Sequence, residues 1–384
     1  MPACNICKND FGQPLFVSPS DISITSLCEI IPKSTKVYLC DYCGHLQTIE
    51  LDDINDYYDK EYKILIDSEE EDQLYKLVNG VELFRFDHQV NILLEKANLP
   101  INAAVLDYGC AKATSLKKLL DRRNDIVGYV YDVSDMYVSF WNKFIPLQNQ
   151  GLYSVPDEWQ CKFDLVTSYF VLEHVAQPRT ILRDVHSLLR DNGRFHFVVP
   201  NVITNIADFV VADHINHFTK SSLTELLKSS EFTDFEIDDT SHDGAFVVTA
   251  SKSITGESSP QKKCTHFAHL PKIHEIAEYW KAIARQIVDF ERQNQSVTSV
   301  AIYGAGFYGT YISTCLSEFS KVECFIDSNP HLQGKKFLNK PIIPPTADLS
   351  RIEIMYVGLN PENARGVIES ISEWSDEKFD YCFL

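Results

Sequence analysis

Positively charged residues are scarce in this 384-residue chain. It has 35 Lys and Arg against 54 Asp and Glu, which gives a formal net charge of -19. Such an excess of negative charge repels nucleic acids and anionic membranes, so we expect neither as a partner. A small phosphorylated substrate is still compatible with this charge, because a helix N-terminus or a few Lys and Arg can hold it.

Long apolar runs are also absent. No stretch approaches the roughly 18 apolar residues of a membrane span, and the N-terminus, MPACNICKND, lacks the basic and apolar regions of a signal peptide. We therefore expect a cytoplasmic protein. Eleven cysteines in a reducing compartment are not expected to form disulfides, and clustered cysteines there predict metal ligands.

Residues 103–133 carry the pattern on which the rest of the chain depends. An apolar run ends at Asp107, a turn of small residues follows, a helical pattern comes next, and a second apolar run ends at Asp132. The carboxyl ends of neighbouring parallel strands meet at one edge of a sheet. Two acids at that edge, with a tight turn between strand and helix, predict a pocket for an adenosine ligand.

Residues 163–201 supply a second block of the same kind. We predict a strand at 164–169, a helix at 179–189, a turn at 191–193, a strand at 194–199 and a stop at Pro200-Asn201. A last strand of this sheet is predicted at 245–250, and residues 73–97 have the leucine spacing of a helix.

Together these blocks resemble the class I S-adenosylmethionine-dependent methyltransferases, whose fourth strand and following loop look like FDLVTSYFVLEHV. The resemblance covers residues 80–250 and implies that S-adenosylmethionine is the cofactor. Ala111 and Ala113 stand where that family often has glycine, which predicts a narrower mouth of the turn. The residues that the resemblance assigns to the cofactor are Asp107, Tyr108, Gly109, Ala111, Asp132 and Glu173.

Two cysteine pairs, Cys4-x-x-Cys7 and Cys40-x-x-Cys43, precede this region. Two such pairs complete a closed tetrahedral zinc site, which has no open position for catalysis. Four reduced surface thiols are the alternative, and Cys28 is a less favoured ligand. Sugar methyltransferases with an N-terminal zinc module carry a similar tyrosine-rich segment after it. That likeness makes Tyr57, with Tyr58 and Tyr62, a candidate cofactor contact, the alternative being packing between domains.

A histidine-rich segment, VADHINHFT (211–219), precedes a predicted helix that Thr219 would cap. It resembles the acid-histidine segment of C-methyltransferases that act on deoxysugar nucleotides, with Val211 and Ala212 in place of that family's tyrosine and first histidine. We expect His214 to be the catalytic base, oriented or charged by Asp213, with His217 as the second choice. A loop that only caps and packs is the alternative.

The last part of the chain begins with a polar stretch at 251–263, which predicts a linker, and an amphipathic helix with an apolar stripe from Ile273 to Ile287. A G-x-G-x-x-G motif follows at Gly304, Gly306 and Gly309, and the next strand ends at Asp327. The segment resembles the small Rossmann-like domain of sugar C-methyltransferases. We expect these residues, with Asn201, to contact a nucleotide-linked substrate, unless the domain has lost its ligand.

The sequence thus predicts an α/β protein in three parts. They are an N-terminal zinc-binding module (1–72), a class I methyltransferase Rossmann-like core (73–254) and a second, smaller Rossmann-like domain (255–384). The predicted reaction moves a methyl group from S-adenosylmethionine to a nucleotide-activated deoxy or keto sugar, at carbon through an enolate. Transfer to oxygen or nitrogen, an NAD-dependent oxidoreductase, and a non-catalytic sugar-nucleotide binding protein stay open as alternatives.

Overall fold

A computed structural model describes residues 2–49, 72–78, 80–252, 269–374 and 379–384. The predicted cofactor residue Tyr57, with Tyr58 and Tyr62, lies outside these residues, as does most of the predicted linker.

The bounds of the elements are as follows. The helices are α1 (Arg85–Lys96), α2 (Thr114–Arg122), α3 (Val138–Trp141), α4 (Pro178–Leu188), α5 (Lys220–Lys228), α6 (Leu270–Gln293), α7 (Phe307–Cys315) and α8 (Ala364–Glu369). The first strands are β1 (Phe16–Val17), β2 (Ser23–Ile24), β3 (Ile30–Ile31), β4 (Lys36–Leu39), β5 (Leu46–Thr48), β6 (Leu74–Val78), β7 (Val81–Phe84), β8 (Ala104–Tyr108), β9 (Val127–Asp132) and β10 (Gln150–Leu152). The later strands are β11 (Phe163–Tyr169), β12 (Leu189–Pro200), β13 (Asn216–His217), β14 (Phe232–Asp238), β15 (Ala245–Lys252), β16 (Val300–Tyr303), β17 (Val322–Ile326), β18 (Lys336–Phe337), β19 (Lys340–Ile343), β20 (Ile354–Val357) and β21 (Asp380–Phe383).

The chain forms two compact units. The first takes in Met1–Leu15, Val37–Asp208 and Asp213–Pro271, and the second takes in Phe16–Lys36, Phe209–Ala212 and Lys272–Leu384. These boundaries differ from the predicted ones at residues 72 and 254, because the two cysteine pairs belong to the same unit as the large sheet. The three-part division stays a prediction about how the chain is built.

The first unit is organised around a seven-stranded sheet in the order β10-β9-β8-β11-β12-β15-β14. The strands from β10 to β12 run parallel, and β15 is antiparallel to both β12 and β14. The central strands β8, β9 and β11 are buried along almost their whole length, as expected of a sheet covered on both faces. The strand predicted to close the sheet, β15, in fact lies inside it, between β12 and β14.

Most of the predicted elements of this unit are confirmed. The predicted strand at 164–169 and helix at 179–189 correspond to β11 and α4, and Thr219 caps α5 by accepting a hydrogen bond from the backbone N–H of Ser222 at 3.2 Å. The single helix predicted at 73–97 is wrong in its first half. Strands β6 and β7 form an antiparallel hairpin there, and the helix begins at Arg85.

A small antiparallel sheet joins the N-terminal residues of the first unit to its histidine-rich segment. Strand β5 pairs with β4 on one side and with β13 on the other. Strand β5 directly follows the second cysteine pair, and β13 contains His217. The two predicted motifs are therefore neighbours in space.

The second unit contains a sheet in the order β18-β19-β17-β16-β20-β21, parallel except for β18. The predicted apolar stripe on α6 is confirmed, since Ile273, Ile276, Trp280 and Ile287 are all buried. Within the second unit, the ring of Trp280 stacks on that of Tyr308 in α7, with centroids 6.1 Å apart.

Among the helices that the structure describes, none combines the length and the apolar character needed to cross a lipid bilayer.

Candidate functional site

The carboxyl ends of β8, β9 and β11 form one edge of the large sheet, and the two predicted acids lie there. Asp107 pairs in register with Val130, two residues before Asp132. The side chains of both acids are buried, with 3% and 8% exposure. Burial raises the pKa of Asp107 to about 7, and the negative charge of Asp132 adds to this rise.

The turn between β8 and α2 is held to this edge by hydrogen bonds. The backbone N–H of Gly109 donates to the carbonyl of Tyr131 at 2.8 Å, and that of Ala111 donates to Oδ2 of Asp132 at 2.8 Å. Trp141 donates its ring N–H to the carbonyl of Ala111 at 2.6 Å. These hydrogen bonds fix the turn around Asp132. A ligand that binds to backbone N–H groups needs a turn that is fixed in this way.

Three residues of the turn adopt left-handed backbone conformations, namely Gly109 (φ 71°), Ala111 (φ 46°) and Ala113 (φ 57°). This conformation favours glycine and costs alanine about 1 kcal/mol. At Gly109 a Cβ would lie 2.7 Å from Cγ2 of Val171. The two alanines therefore adopt the left-handed backbone conformation that favours glycine.

Tyr108, which the sequence predicts to contact the cofactor, is buried at this edge, and the contact stays a prediction. Its side chain packs in the core, with its ring centroid 4.7 Å from that of Tyr131. Its carbonyl accepts a hydrogen bond from the hydroxyl of Ser168 at 2.9 Å. Thr167 donates its hydroxyl to Oδ1 of Asp107 at 2.9 Å, so both of these β11 side chains hold the end of β8.

A second group of polar residues follows β11 at the same edge. Glu173 and His174 lie on a short 3₁₀ helix, Leu172–His174, and one ligating atom each from Glu173, His174 and His214 lie within 4.8 Å of one another. Glu173 is 1% exposed, and none of the described residues donates a hydrogen bond to its Oε2 atom. Burial raises the pKa of Glu173 to about 8.

The acid that orients His214 by a hydrogen bond is Asp208, whereas the predicted Asp213 contributes only its charge, which helps to raise the pKa of His214. Nδ1 of His214 lies 2.6 Å from Oδ1 of Asp208. Burial alone would lower the pKa of His214, but the hydrogen bond to the ionised Asp208 raises it to about 9. Sequence reasoning missed Asp208 because it lies six residues earlier, on the 3₁₀ helix Ile206–Val210, where no motif marks it.

Asp213 lies against the other histidine. Its backbone carbonyl accepts a hydrogen bond from Nδ1 of His174 at 3.1 Å, and its Oδ2 is 3.6 Å from the same nitrogen. Burial lowers the pKa of His174 to about 4, and the neighbouring His214 contributes to this fall. The two imidazoles therefore differ in charge at neutral pH: His214 is protonated and His174 is neutral.

His217 is completely buried. Its Nε2 lies 2.7 Å from Oγ1 of Thr48, and its Nδ1 lies 3.3 Å from Oδ2 of Asp208. A side chain enclosed in this way cannot reach a substrate, so the prediction of His217 as the second-choice base is corrected. It is a partner of Asp208.

The four predicted metal ligands converge. Sγ of Cys4 is 3.6 Å from that of Cys43, and Sγ of Cys7 is 3.4 Å from that of Cys40. A tetrahedral zinc site with Zn–S bonds of about 2.3 Å needs sulfurs a little under 4 Å apart, so the thiols fit this metal. Each pair is followed by a left-handed residue, Lys8 (φ 64°) and Gly44 (φ 69°), which turns the chain back.

The second unit repeats the acid-and-turn arrangement. The N–H of Ala305 donates to Oδ2 of Asp327 at 2.9 Å, as the N–H of Ala111 does to Asp132. A Cβ on Gly309 would lie 2.1 Å from the carbonyl oxygen of Gly304, whereas a Cβ on Gly306 would have no atom within 4 Å. Gly309 is therefore required by packing, and Gly306 leaves open space beside the N-terminus of α7.

Asn201, predicted to contact the substrate, is buried after β12 and accepts a hydrogen bond from the N–H of Ile203 at 3.1 Å. Its side chain closes a turn at the sheet edge. A substrate contact from it stays a prediction.

Residues 85–237 match a family model described as a methyltransferase domain. The matched range runs from the start of α1 into β14 and contains both the acid pair and the histidine cluster. No curated protein matches the chain. The matched range includes the parallel strands β8 to β12 of the large sheet.

Several solved structures are similar to parts of the chain. The CurJ carbon methyltransferase is 14% identical, with a TM-score of 0.35, over 42% of this chain and 52% of that one. A methyltransferase of Mesorhizobium loti that depends on S-adenosylmethionine is 16% identical, with a TM-score of 0.35, over 44% of this chain and 100% of that one. Human N-acetylserotonin methyltransferase, solved with S-adenosylmethionine, is 14% identical, with a TM-score of 0.33, over 39% and 48%. The chain spans about half the length of the first and third of these proteins.

Proposed function

We propose that the protein, whose residues 85–237 match a methyltransferase domain, transfers a methyl group from S-adenosylmethionine to carbon of a nucleotide-linked keto sugar. One observation carries this proposal. A neutral imidazole (His174), a charged imidazole (His214) and a buried carboxyl (Glu173) lie together at the sheet edge that holds Asp107 and Asp132. Carbon methylation needs such acid-base groups, because a C–H bond beside the ketone must first be broken.

The residues present fit the cofactor. Asp107 is a buried carboxyl next to a turn held open by left-handed backbone, and Asp132 lies where a ribose-binding acid is expected. Asp107, Gly109, Ala111 and Asp132 would hold S-adenosylmethionine, with Glu173 at the rim. When bound, the cofactor supplies a methyl group on a positively charged sulfur.

We assign the proton acceptor to His174, rather than to the expected His214. Nδ1–H of His174 donates to the carbonyl of Asp213, which leaves the lone pair on Nε2, and the low pKa keeps the ring neutral. His174 would take the proton from the carbon beside the ketone. His214, charged and paired with Asp208, would hold the negative charge that develops on the ketone oxygen.

We propose that the second unit binds a phosphate or a nucleotide. The hydrogen bond from the N–H of Ala305 to Asp327 matches that from Ala111 to Asp132, and a Cβ at Gly306 would have no atom within 4 Å. Backbone N–H groups at the start of α7 would bind phosphate, and Asp327 would bind the ribose.

The cysteine site is proposed to bind one structural zinc ion. Its four thiols leave no position for a substrate. One equivalent of zinc in the purified protein, lost together with folding in Cys40→Ser, is expected. Metal-free protein that is folded, measured by elemental analysis and circular dichroism, would contradict the assignment.

Proton exchange tests the reaction. Incubation of the protein with nucleoside diphosphate 4-keto-6-deoxy sugars in heavy water, without cofactor, is expected to place deuterium beside the ketone. His174→Gln should slow this exchange about a hundredfold or more. The matched control is His186→Gln, since His186 is a half-buried histidine of the same unit on α4, packed on Phe232.

Methylation with S-adenosylmethionine, followed by NMR of the product, then locates the new methyl group. A methyl group on oxygen or nitrogen would favour transfer to those atoms. Undiminished exchange in His174→Gln would remove His174 from this role. A copurified nicotinamide in a protein that does not bind S-adenosylmethionine would point to an oxidoreductase instead.

A further inference from the structure

The segment that follows the second cysteine pair is paired with the histidine-rich segment. In strands β5 and β13, Leu46 pairs with His217, and Gln47 pairs with Asn216. The N–H of Thr48 donates to the carbonyl of Ile215 at 2.9 Å. The backbone that carries His214 is thus hydrogen-bonded to the chain five residues after Cys43.

Side chains extend this connection to His214. Thr48 Oγ1 lies 2.7 Å from Nε2 of His217, and Nδ1 of His217 lies 3.3 Å from Oδ2 of Asp208. The other oxygen of Asp208 lies 2.6 Å from Nδ1 of His214. Asp208 thus lies between the two imidazoles, and Oγ1 of Thr48 lies within hydrogen-bond distance of the far nitrogen of His217. Thr48 therefore fixes the orientation of the ring that shares Asp208 with His214.

A second connection reaches the other imidazole. Oδ1 of Asn216 lies 3.1 Å from Nε2 of His45, which comes two residues after Cys43. The amide nitrogen of Asn216 donates to the carbonyls of Leu172 at 2.9 Å and Val175 at 2.6 Å. These two carbonyls bracket the turn that presents Glu173 and His174. Residues just after the cysteines are thus connected by hydrogen bonds to the segments that carry both imidazoles.

We propose that the cysteine module is a positioning element of the acid-base site, and that Thr48 positions His214 through His217 and Asp208. This inference rests on the proposed function, because it assigns the module a task in that reaction. The module does not touch the substrate. It fixes His217, which is the second partner of the Asp208 carboxylate. The charge and the orientation of His214 depend on that carboxylate.

The test compares three variants of the full-length, zinc-loaded protein. Thr48→Val removes the hydroxyl at nearly constant volume, and Thr48→Ser keeps it. Thr249→Val is the matched control, since Thr249 makes a similar bond, 2.9 Å to Nδ1 of His196, within the large sheet. Zinc content and thermal unfolding are measured for all three.

A positioning role predicts a split between kinetic constants. With the keto sugar substrate, Thr48→Val should lower kcat by about tenfold to a hundredfold and leave KM within about twofold. Thr48→Ser should restore kcat, and Thr249→Val should leave it unchanged. Equal kcat in Thr48→Val and the parent, or an equal loss in Thr249→Val, would overturn the proposal.

A spectroscopic measurement separates this inference from the proposed reaction. In protein labelled with ¹⁵N-histidine and saturated with S-adenosylhomocysteine, the Nδ1–H proton of His214 should give a downfield signal from its short bond to Asp208. Thr48→Val should shift this signal, whereas Thr249→Val should not. If no acceptor is methylated, the proposed function fails, but an unshifted His214 signal in Thr48→Val would still overturn the positioning role on its own.

Discussion

Replacement of Asp107 by Asn is expected to stabilise the ligand-free protein above neutral pH and to abolish binding of the cofactor. Asp107 is 3% exposed, and within the described residues its side chain accepts a hydrogen bond from Thr167 but forms no ion pair with Lys or Arg. A carboxylate buried in this way is unfavourable until a cation reaches it. S-adenosylmethionine carries such a cation.

The size of the effect follows from the pKa. Burial raises the pKa of Asp107 from 3.8 to about 7, and each pKa unit corresponds to about 1.4 kcal/mol. Ionisation of Asp107 therefore lowers the free energy of unfolding by about 4 kcal/mol at most. The folded protein binds this proton more tightly than the unfolded chain. The free energy of unfolding therefore falls as the pH rises from 3.8 to about 7 and stays lowered above that value.

Urea unfolding of the parent and Asp107→Asn at about pH 5 and about pH 8 measures this difference. The free energy of unfolding of the variant, relative to that of the parent, should be higher at the higher pH than at the lower one. Asp164→Asn is the matched control, because Asp164 is a buried acid of the same sheet that pairs with Arg190 and accepts the N–H of Ala104. That control should lose stability at both values. An Asp107→Asn variant whose stability relative to the parent does not change with pH would refute the reasoning.

Two further predictions concern backbone conformation and packing. Ala113→Gly should stabilise the protein by up to about 1 kcal/mol in urea unfolding, because Ala113 caps α2 with left-handed backbone; a loss of similar size would contradict this. Gly309→Ala should unfold the second unit, since its Cβ would lie 2.1 Å from the carbonyl oxygen of Gly304, whereas Gly306→Ala should stay folded. Protease digestion distinguishes the two variants, and equal resistance would refute the packing argument.

The local parts of the site could be predicted from the sequence. Each cysteine pair converges because a Cys-x-x-Cys turn aims two thiols at one point, and Asp107 and Asp132 meet because each ends a strand of the same parallel sheet. The β6–β7 hairpin was missed because leucine spacing was given more weight than the turn. Asn79-Gly80, a strong hairpin signal, was present in the sequence.

The partners within the site could not be predicted. Thr48 and His217 are 169 residues apart, and their contact exists only because β5 and β13 pair. Asp208 and Asp213 are both near His214 in sequence, and only the three-dimensional path of the loop decides which acid faces the imidazole. The left-handed conformation of Ala111 likewise accompanies a hydrogen bond of its N–H to Asp132, which lies 21 residues away in the sequence.

The charges at the sheet edge explain why a cationic methyl donor suits this site. Three acids, Asp107, Asp132 and Glu173, are buried there, and among the described residues none of them forms an ion pair with Lys or Arg. Burial raises the pKa of all three and so disfavours their ionised forms, and a positive charge that arrives beside them would lower these pKa values again. Methyl transfer removes the positive charge from sulfur, and the attraction that held the donor weakens in the product. The same acids would therefore favour both binding of the donor and release of the demethylated product.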